Sequence, residues 1–303
     1  MQGWFKTHDG LKIRYGIWKP EGRPRASVVI LGGRGEFLEK YNETIIELLD
    51  REMMVFSFDW RGQGLSSRMT SPASVGHVDS FEDYLADLHD FMLNIAGPSK
   101  SGQLIMLAHS MGGHIALRYL ADRQGIFDKA VLTSPMIQIH ASGFSADLMY
   151  TVADLATGLG FGRAPIPFTS GRNDYLGDFE NNQLTGSRRR FERNRRLLEA
   201  NPGLLIDAVS FGWLKAAFDS MNVIKRPGFA AKITLPLLML AAGSDKVVSS
   251  RATKKLAAVL PDVSFSILEG SRHEILQETD PIRARFWQLF DSFAAVPACF
   301  ADN

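Results

Sequence analysis

The chain has 303 residues, 45% of them apolar, a single cysteine (Cys299) and a formal net charge of +1. That composition suits one large core and excludes a disordered chain, an intrachain disulfide framework and a global electrostatic pull toward nucleic acid. No apolar run reaches the ~18 residues of a membrane span, and the opening MQGWFKTHDG lacks the basic head and apolar core of a signal peptide, so a cytoplasmic location is expected.

Residues 11–18, LKIRYGIW, alternate apolar and polar like a half-exposed strand. Residues 26–31, ASVVIL, read as a buried strand running into Gly32-Gly33-Arg34-Gly35. An amphipathic stretch follows through Ile45, Leu48 and Leu49. A second buried run, MMVFSF at 53–58, ends in Asp59 and the turn RGQG. Phe81, Tyr84, Leu85, Leu88, Phe91, Met92 and Ile95 recur at spacings of three and four, which makes one helix face. Asp79 or Ser80 can cap that helix and Gly97-Pro98 can end it. A strand at 103–108, a helix at 112–124 and a strand at 129–134 complete the first part.

The rhythm breaks after Pro135 and resumes with a strand at 233–242, a helix at 250–260, a strand at 263–268 and a helix at 281–295. Alternating strands and helices with continuous apolar strands predict an α/β fold, a mostly parallel central sheet with helices on both faces. The core spans 1–135 and 231–303, and 136–230 is an inserted helical cap.

The stretch LAHSMGGH, residues 107–114, places Ser110 between a strand and a helix in the pattern Ala108-x-Ser110-x-Gly112, close to G-x-S-x-G. In that motif the serine sits on a tight strained turn as a nucleophile; an ordinary helix N-cap is the plainer reading. A nucleophilic serine needs a histidine base and an acid to orient it, here in the order Ser, Asp, His after successive strands. Asp245 follows the strand 233–242 and His273 follows 263–268. Of the seven histidines, His273 alone is downstream of Ser110 in a strand-end loop. The oxyanion donors are then the backbone N–H of Met111, directly after Ser110, and that of Arg34 in the glycine-rich loop. The Arg34 side chain is expected to pair with a carboxylate or lie in solvent.

The segments GGRGEF, FDWRGQGLS, GHVDSFEDY, LAHSMGG, GSD and HEIL resemble the alpha/beta-hydrolase fold in its monoacylglycerol lipase and bacterial lysophospholipase branch. LTGSRRRFERNRR and FGWLKAAF extend the resemblance to the bacterial lysophospholipases. Many relatives carry His-Gly where this chain has Gly32-Gly33, so a side chain that buttresses the loop is missing here. The resemblance implies hydrolysis of a single-chain lipid ester, foremost a lysophospholipid, through an acyl-enzyme and with no cofactor or metal. A monoacylglycerol lipase, a small-ester esterase and acyl transfer to another acceptor remain open.

Gly33, Phe144, Leu148 and Trp213 are candidates to line the substrate site. Arg189 and Arg193, from the arginine-rich run 188–196, are candidates for a phosphate or an anionic membrane surface. Their neighbours in the run are expected to be solvated. A nicotinamide enzyme fits poorly, because Gly33-x-Gly35-x-x-Leu38 lacks the third glycine of the dinucleotide fingerprint. A non-catalytic binding protein on the same fold is the remaining rival. Oligomeric state is open.

Overall fold

A computed structural model describes residues 1–140, 145–167 and 174–295. Its ten strands are β1 (Gln2–Lys6), β2 (Lys12–Trp18), β3 (Ala26–Leu31), β4 (Met53–Phe58), β5 (Val75–Gly76), β6 (Gln103–His109), β7 (Lys129–Thr133), β8 (Ala208–Val209), β9 (Leu237–Ala242) and β10 (Val263–Leu268). Eight of them form one sheet in the order β1-β2-β4-β3-β6-β7-β9-β10. β1 and β2 pair antiparallel, as do β2 and β4; every pairing from β4 through β10 is parallel.

The continuous apolar strands are explained by two-sided burial. Successive side chains of a strand point to opposite faces. Val29 and Leu31 of β3 enter one apolar cluster, and Val28 and Ile30 enter another. The helices are α1 (Asn42–Leu49), α2 (Phe81–Phe91), α3 (Gly97–Ser99), α4 (Met111–Asp122), α5 (Ala146–Ala156), α6 (Arg188–Ala200), α7 (Phe211–Ile224), α8 (Ser250–Ala257) and α9 (Asp280–Ala294). Ile45 and Leu48 of α1 and Phe286, Trp287 and Phe290 of α9 cover the Val28 face. Tyr84 and Leu88 of α2, Ile115 of α4 and Leu256 of α8 cover the other.

The element order agrees with the sequence reading, and several boundaries move. The strand expected at 233–242 starts at Leu237, directly after Pro236, which has no N–H to donate to a ladder. Ser80 rather than Asp79 caps α2, accepting the Glu82 N–H at 3.2 Å. Gly97 and Pro98 do not end that helical run: it widens at Met92–Ala96 and continues as α3. β1 carries too few apolar residues to show as a strand in the sequence.

Between β7 and β9 the described chain holds α5, α6, α7 and short helical turns, and contributes no strand to the large sheet. β8 instead pairs with β5 in a two-stranded ladder. Phe191, Leu198 and Leu204 from this region pack with Tyr175 around Phe37. α7 has no separate core of its own: Trp213, Ala217, Met221 and Ile224 join the main apolar cluster.

Four loops meet at the carboxyl ends of the parallel strands: those after β3, β6, β9 and β10. β3 connects onward to β4 on one side, and β6 to β7 on the other. The crevice between β3 and β6 is therefore the point where strand order reverses, the usual ligand position in an open α/β sheet.

Candidate active site

Ser110 has φ 51° and ψ −115°. A non-glycine residue held there costs on the order of 1–3 kcal/mol and persists only if its surroundings enforce it. They do so here. The Ser110 N–H donates to the Thr133 carbonyl at 3.0 Å, and the Ser110 carbonyl accepts from His114 and Met136. A Cβ on Gly112 would overlap the Leu31 and Gly32 carbonyl oxygens, so only glycine lets α4 approach β3 this closely. The hydroxyl makes no capping bond to α4, which removes the N-cap reading.

That hydroxyl lies 2.9 Å from His273 Nε2, and His273 Nδ1 lies 2.8 Å from Asp245 Oδ2. With the proton on Nδ1, His273 donates to Asp245 and accepts from Ser110. Burial pulls the Asp245 carboxyl up, but the His273 hydrogen bond and charge, with the N–H groups of Val248 (2.9 Å) and Val247 (2.8 Å), outweigh it and hold it below its ordinary value. Asp245 is thus an anion fixed against the imidazole. The His273 loop is tied to the intervening region, where the Glu274 N–H donates to the Leu184 carbonyl at 2.8 Å.

The loop Gly32–Gly35 lies against the serine: a Cβ on Gly33 would sit 3.1 Å from Ser110 Cβ. Its polar groups are committed in a definite pattern. The Gly32 carbonyl accepts from Trp60 Nε1 at 2.9 Å. The Gly33 N–H donates to the Glu36 carboxylate, and the Gly35 N–H to Gln63 Oε1. Between those two occupied donors lies the Arg34 N–H. Met111 opens α4, where an N–H has no intrahelical acceptor. Gln63 Nε2 lies 3.7 Å from Met111 Sδ, so one side chain touches both strand-end loops.

Glu36 buttresses the loop from beneath: a Cβ on Gly32 would sit 3.4 Å from its side chain. It is buried under the loop and also accepts from Tyr41 Oη and, at 2.7 Å, from Lys40 Nζ. Burial raises its pKa, yet Lys40, His109 and the hydrogen bonds bring it down to about 2. Lys40 also donates to Glu274 at 2.6 Å, the residue after His273. Burial and the charge on Glu36 keep the Glu274 carboxyl above its ordinary value, against the pull of Lys40. His109, whose ring is 4.9 Å from that of His273, is held down to about 4, mainly by burial. Sequence reading passed over Glu36, Lys40, Gln63 and Glu274; the run Glu36-x-x-x-Lys40 was a signal for the i,i+4 pair.

Other expectations are corrected. The Arg34 side chain donates from Nη2 to the Ala208 carbonyl at 2.9 Å and lies 5.3 Å over the Trp213 ring; among the described residues no carboxylate is within ion-pair distance. Arg189 pairs with Asp280 at 3.0 Å, and Arg193 with Glu43 at 2.7 Å and with Gln277. The run is solvated only in part: Arg188 and Arg196 are exposed, Arg188 while paired with Glu180, but Arg190 is buried on Glu43 and Asp280, and Arg195 donates to the Tyr175 carbonyl. None of these contacts reaches the Ser110 group. For Arg189, Arg190 and Arg193 the reason is long range, since their carboxylates come from α1 and α9. Trp213 is buried beside Arg34, Leu148 is exposed on α5, and Phe144 lies outside the described residues.

A serine, histidine and aspartate linked in this order at the switch point of such a sheet define a serine hydrolase on the alpha/beta-hydrolase fold. Comparison with known proteins agrees. The chain belongs to the family described as "Serine aminopeptidase, S33", whose model matches residues 22–280. It is 30% identical over 290 residues to a probable lysophospholipase L2 of Haemophilus influenzae, covering 94% of this chain and 89% of that protein. It is 27% identical over 274 residues to the human monoglyceride lipase, covering 89% and 82%. The structure of a soluble variant of the Saccharomyces cerevisiae monoglyceride lipase superposes with a TM-score of 0.78 at 19% identity, covering 97% of this chain and 95% of that one. The chain is a carboxylic ester hydrolase.

Proposed function

We propose that this enzyme releases a fatty acid from a single-chain lipid ester, foremost a lysophospholipid. The linked Ser110–His273–Asp245 geometry is the observation that carries the chemistry. His273 takes the Ser110 proton as Oγ attacks the ester carbonyl. Asp245 holds the imidazole and stabilises its cation. The N–H groups of Arg34 and Met111 receive the oxyanion, each worth roughly 3 kcal/mol in the transition state. The alcohol leaves with the proton from His273. Water then attacks the acyl-enzyme, with His273 again as base.

The substrate class rests on the relatives, of which the lysophospholipase L2 proteins reach 30% identity and the human monoglyceride lipase 27%. A monoacylglycerol is the second reading for that reason. Residues 136–230 serve as the cap over the site.

A lipid surface is the place where the enzyme meets such a substrate. Leu148, Val152, Leu155 and Leu159, spaced four, three and four residues apart, are exposed along α5 and the turn after it. The test of function is fatty-acid release from a lysophospholipid and from the monoacylglycerol of the same chain. Ser110→Ala is expected to lower both by at least about 10⁴-fold. Undiminished release by that variant would refute the mechanism; release from the monoacylglycerol alone would refute the lysophospholipid reading.

A further inference from the structure

We propose that the Arg34 guanidinium is the phosphate-binding group of the site, taking the headgroup phosphodiester of the substrate while the backbone N–H of the same residue takes the oxyanion. This rests on the lysophospholipid reading above.

The motive is an unbalanced cation. The deeply buried arginines Arg14, Arg61, Arg118, Arg190 and Arg283 each hold a carboxylate. Arg68, also without a carboxylate, places its donors on the carbonyls of Gly62, Gly64 and Gly203. Arg34 does neither. Among the described residues its one side-chain hydrogen bond goes to the Ala208 carbonyl, and its Nε is buried with no acceptor. Burial draws the Arg34 pKa down to about 10, with the charge of Asp207 opposing, so the group is still charged at neutral pH.

Arg34 is half-buried rather than enclosed, so an anion can reach its guanidinium, and a partly desolvated cation without a carboxylate partner is left at a cost. A phosphate relieves that cost, because its oxygens accept from the planar guanidinium fork. Position supports the assignment. Arg34 is on the loop that touches Ser110, and a three-carbon glycerol unit separates the ester of a lysophospholipid from its phosphate. Arg188, Arg189, Arg190 and Arg193 of α6 do not compete for this role, being held by Glu43, Glu180 and Asp280, while Arg195 and Arg196 donate to the carbonyls of Tyr175 and Glu192.

The test uses the full chain with Arg34→Met, which removes the charge, and Arg34→Lys, which keeps a point charge without the fork. Both retain the backbone N–H. The first readout is the ratio of kcat/KM for a lysophospholipid to that for the monoacylglycerol of the same chain, which cancels any common loss from a disturbed loop or cap. That ratio is expected to fall at least tenfold in Arg34→Met and less in Arg34→Lys. The second is competition by sn-glycerol 3-phosphate against a short p-nitrophenyl ester, expected in the wild type and at least tenfold weaker in Arg34→Met. An unchanged ratio with lysophospholipid still hydrolysed would overturn the proposal and leave the substrate reading intact. Glycerol 3-phosphate competition that depends on Arg34 in an enzyme inert to lysophospholipid would keep the phosphate site and discard that reading. Competition by inorganic phosphate but not by glycerol 3-phosphate would show a free-phosphate site and overturn the headgroup assignment.

Discussion

Glu36 is where the residue scale is most informative. Its carboxylate accepts from the Gly33 N–H, from Tyr41 and from Lys40, and Lys40 reaches Glu274 beside His273. One buried cation thus ties the oxyanion loop to the histidine loop. Removing one partner of a buried charge network leaves the others uncompensated and typically costs 3–5 kcal/mol. Glu36→Ala is therefore expected to lower stability by roughly 3 kcal/mol and kcat on a short ester by about 10- to 100-fold, with a smaller change in KM. Urea unfolding and steady-state kinetics check the two parts. A kcat within twofold of wild type in folded protein would deny Glu36 any positioning role.

At the scale of elements, α5 and α6 exchange the roles their composition suggests. α6 carries the arginines, yet it is a packed helix: Arg190 and Arg193 grip Glu43 of α1, and Arg190 also grips Asp280 of α9. α5 bears Asp147 and Asp154 and no basic residue, and exposes its apolar stripe. The proposed lipid association through α5 is then expected to be driven by apolar burial, at about 25 cal/mol per Å², rather than by headgroup charge. Sedimentation with phosphatidylcholine vesicles is expected to carry down the wild type. The double variant Leu155→Asp/Leu159→Asp is expected to bind at least tenfold more weakly. Binding to the wild type is expected to change little between low and high salt. A steep salt dependence, or requirement for anionic lipid, would return the role to the arginines.

Across the whole molecule, pH acts through groups that the fold buries. His109 is held down to about 4 and His114 to about 3, burial being the main cause for both. Their unfolded value is near 6.5. Below that value the unfolded chain takes up protons that the folded chain refuses. Stability is therefore greatest above pH 6.5 and falls as pH drops toward 4, by about 1.4 kcal/mol per pH unit for each histidine. Glu36, depressed to about 2, adds its own loss only from about 4.5 downward. The urea midpoint should decline steadily from pH 7 to 4.5, and His114→Gln should flatten the slope. A midpoint constant over that range would contradict the burial of both imidazoles as neutral rings.

The sheet and the central three residues were legible in the chain alone, because their signals are local. Runs such as ASVVIL and MMVFSF are apolar on both faces, a single-residue turn with Gly112 marks the elbow, and strand ends carry Asp245 and His273. Partners contributed from distant elements were not legible. Whether Arg189, Arg190 and Arg193 are free or paired depends on Glu43 and Asp280, which lie far away in the chain. Glu36 braces the oxyanion loop in this chain, a role visible only once Lys40 and Glu274 are brought together. Among the described residues the Arg34 guanidinium has no carboxylate within ion-pair distance, for the same kind of reason. Periodicity determines which face of an element is buried, whereas charge pairing is decided by which elements the fold places against each other.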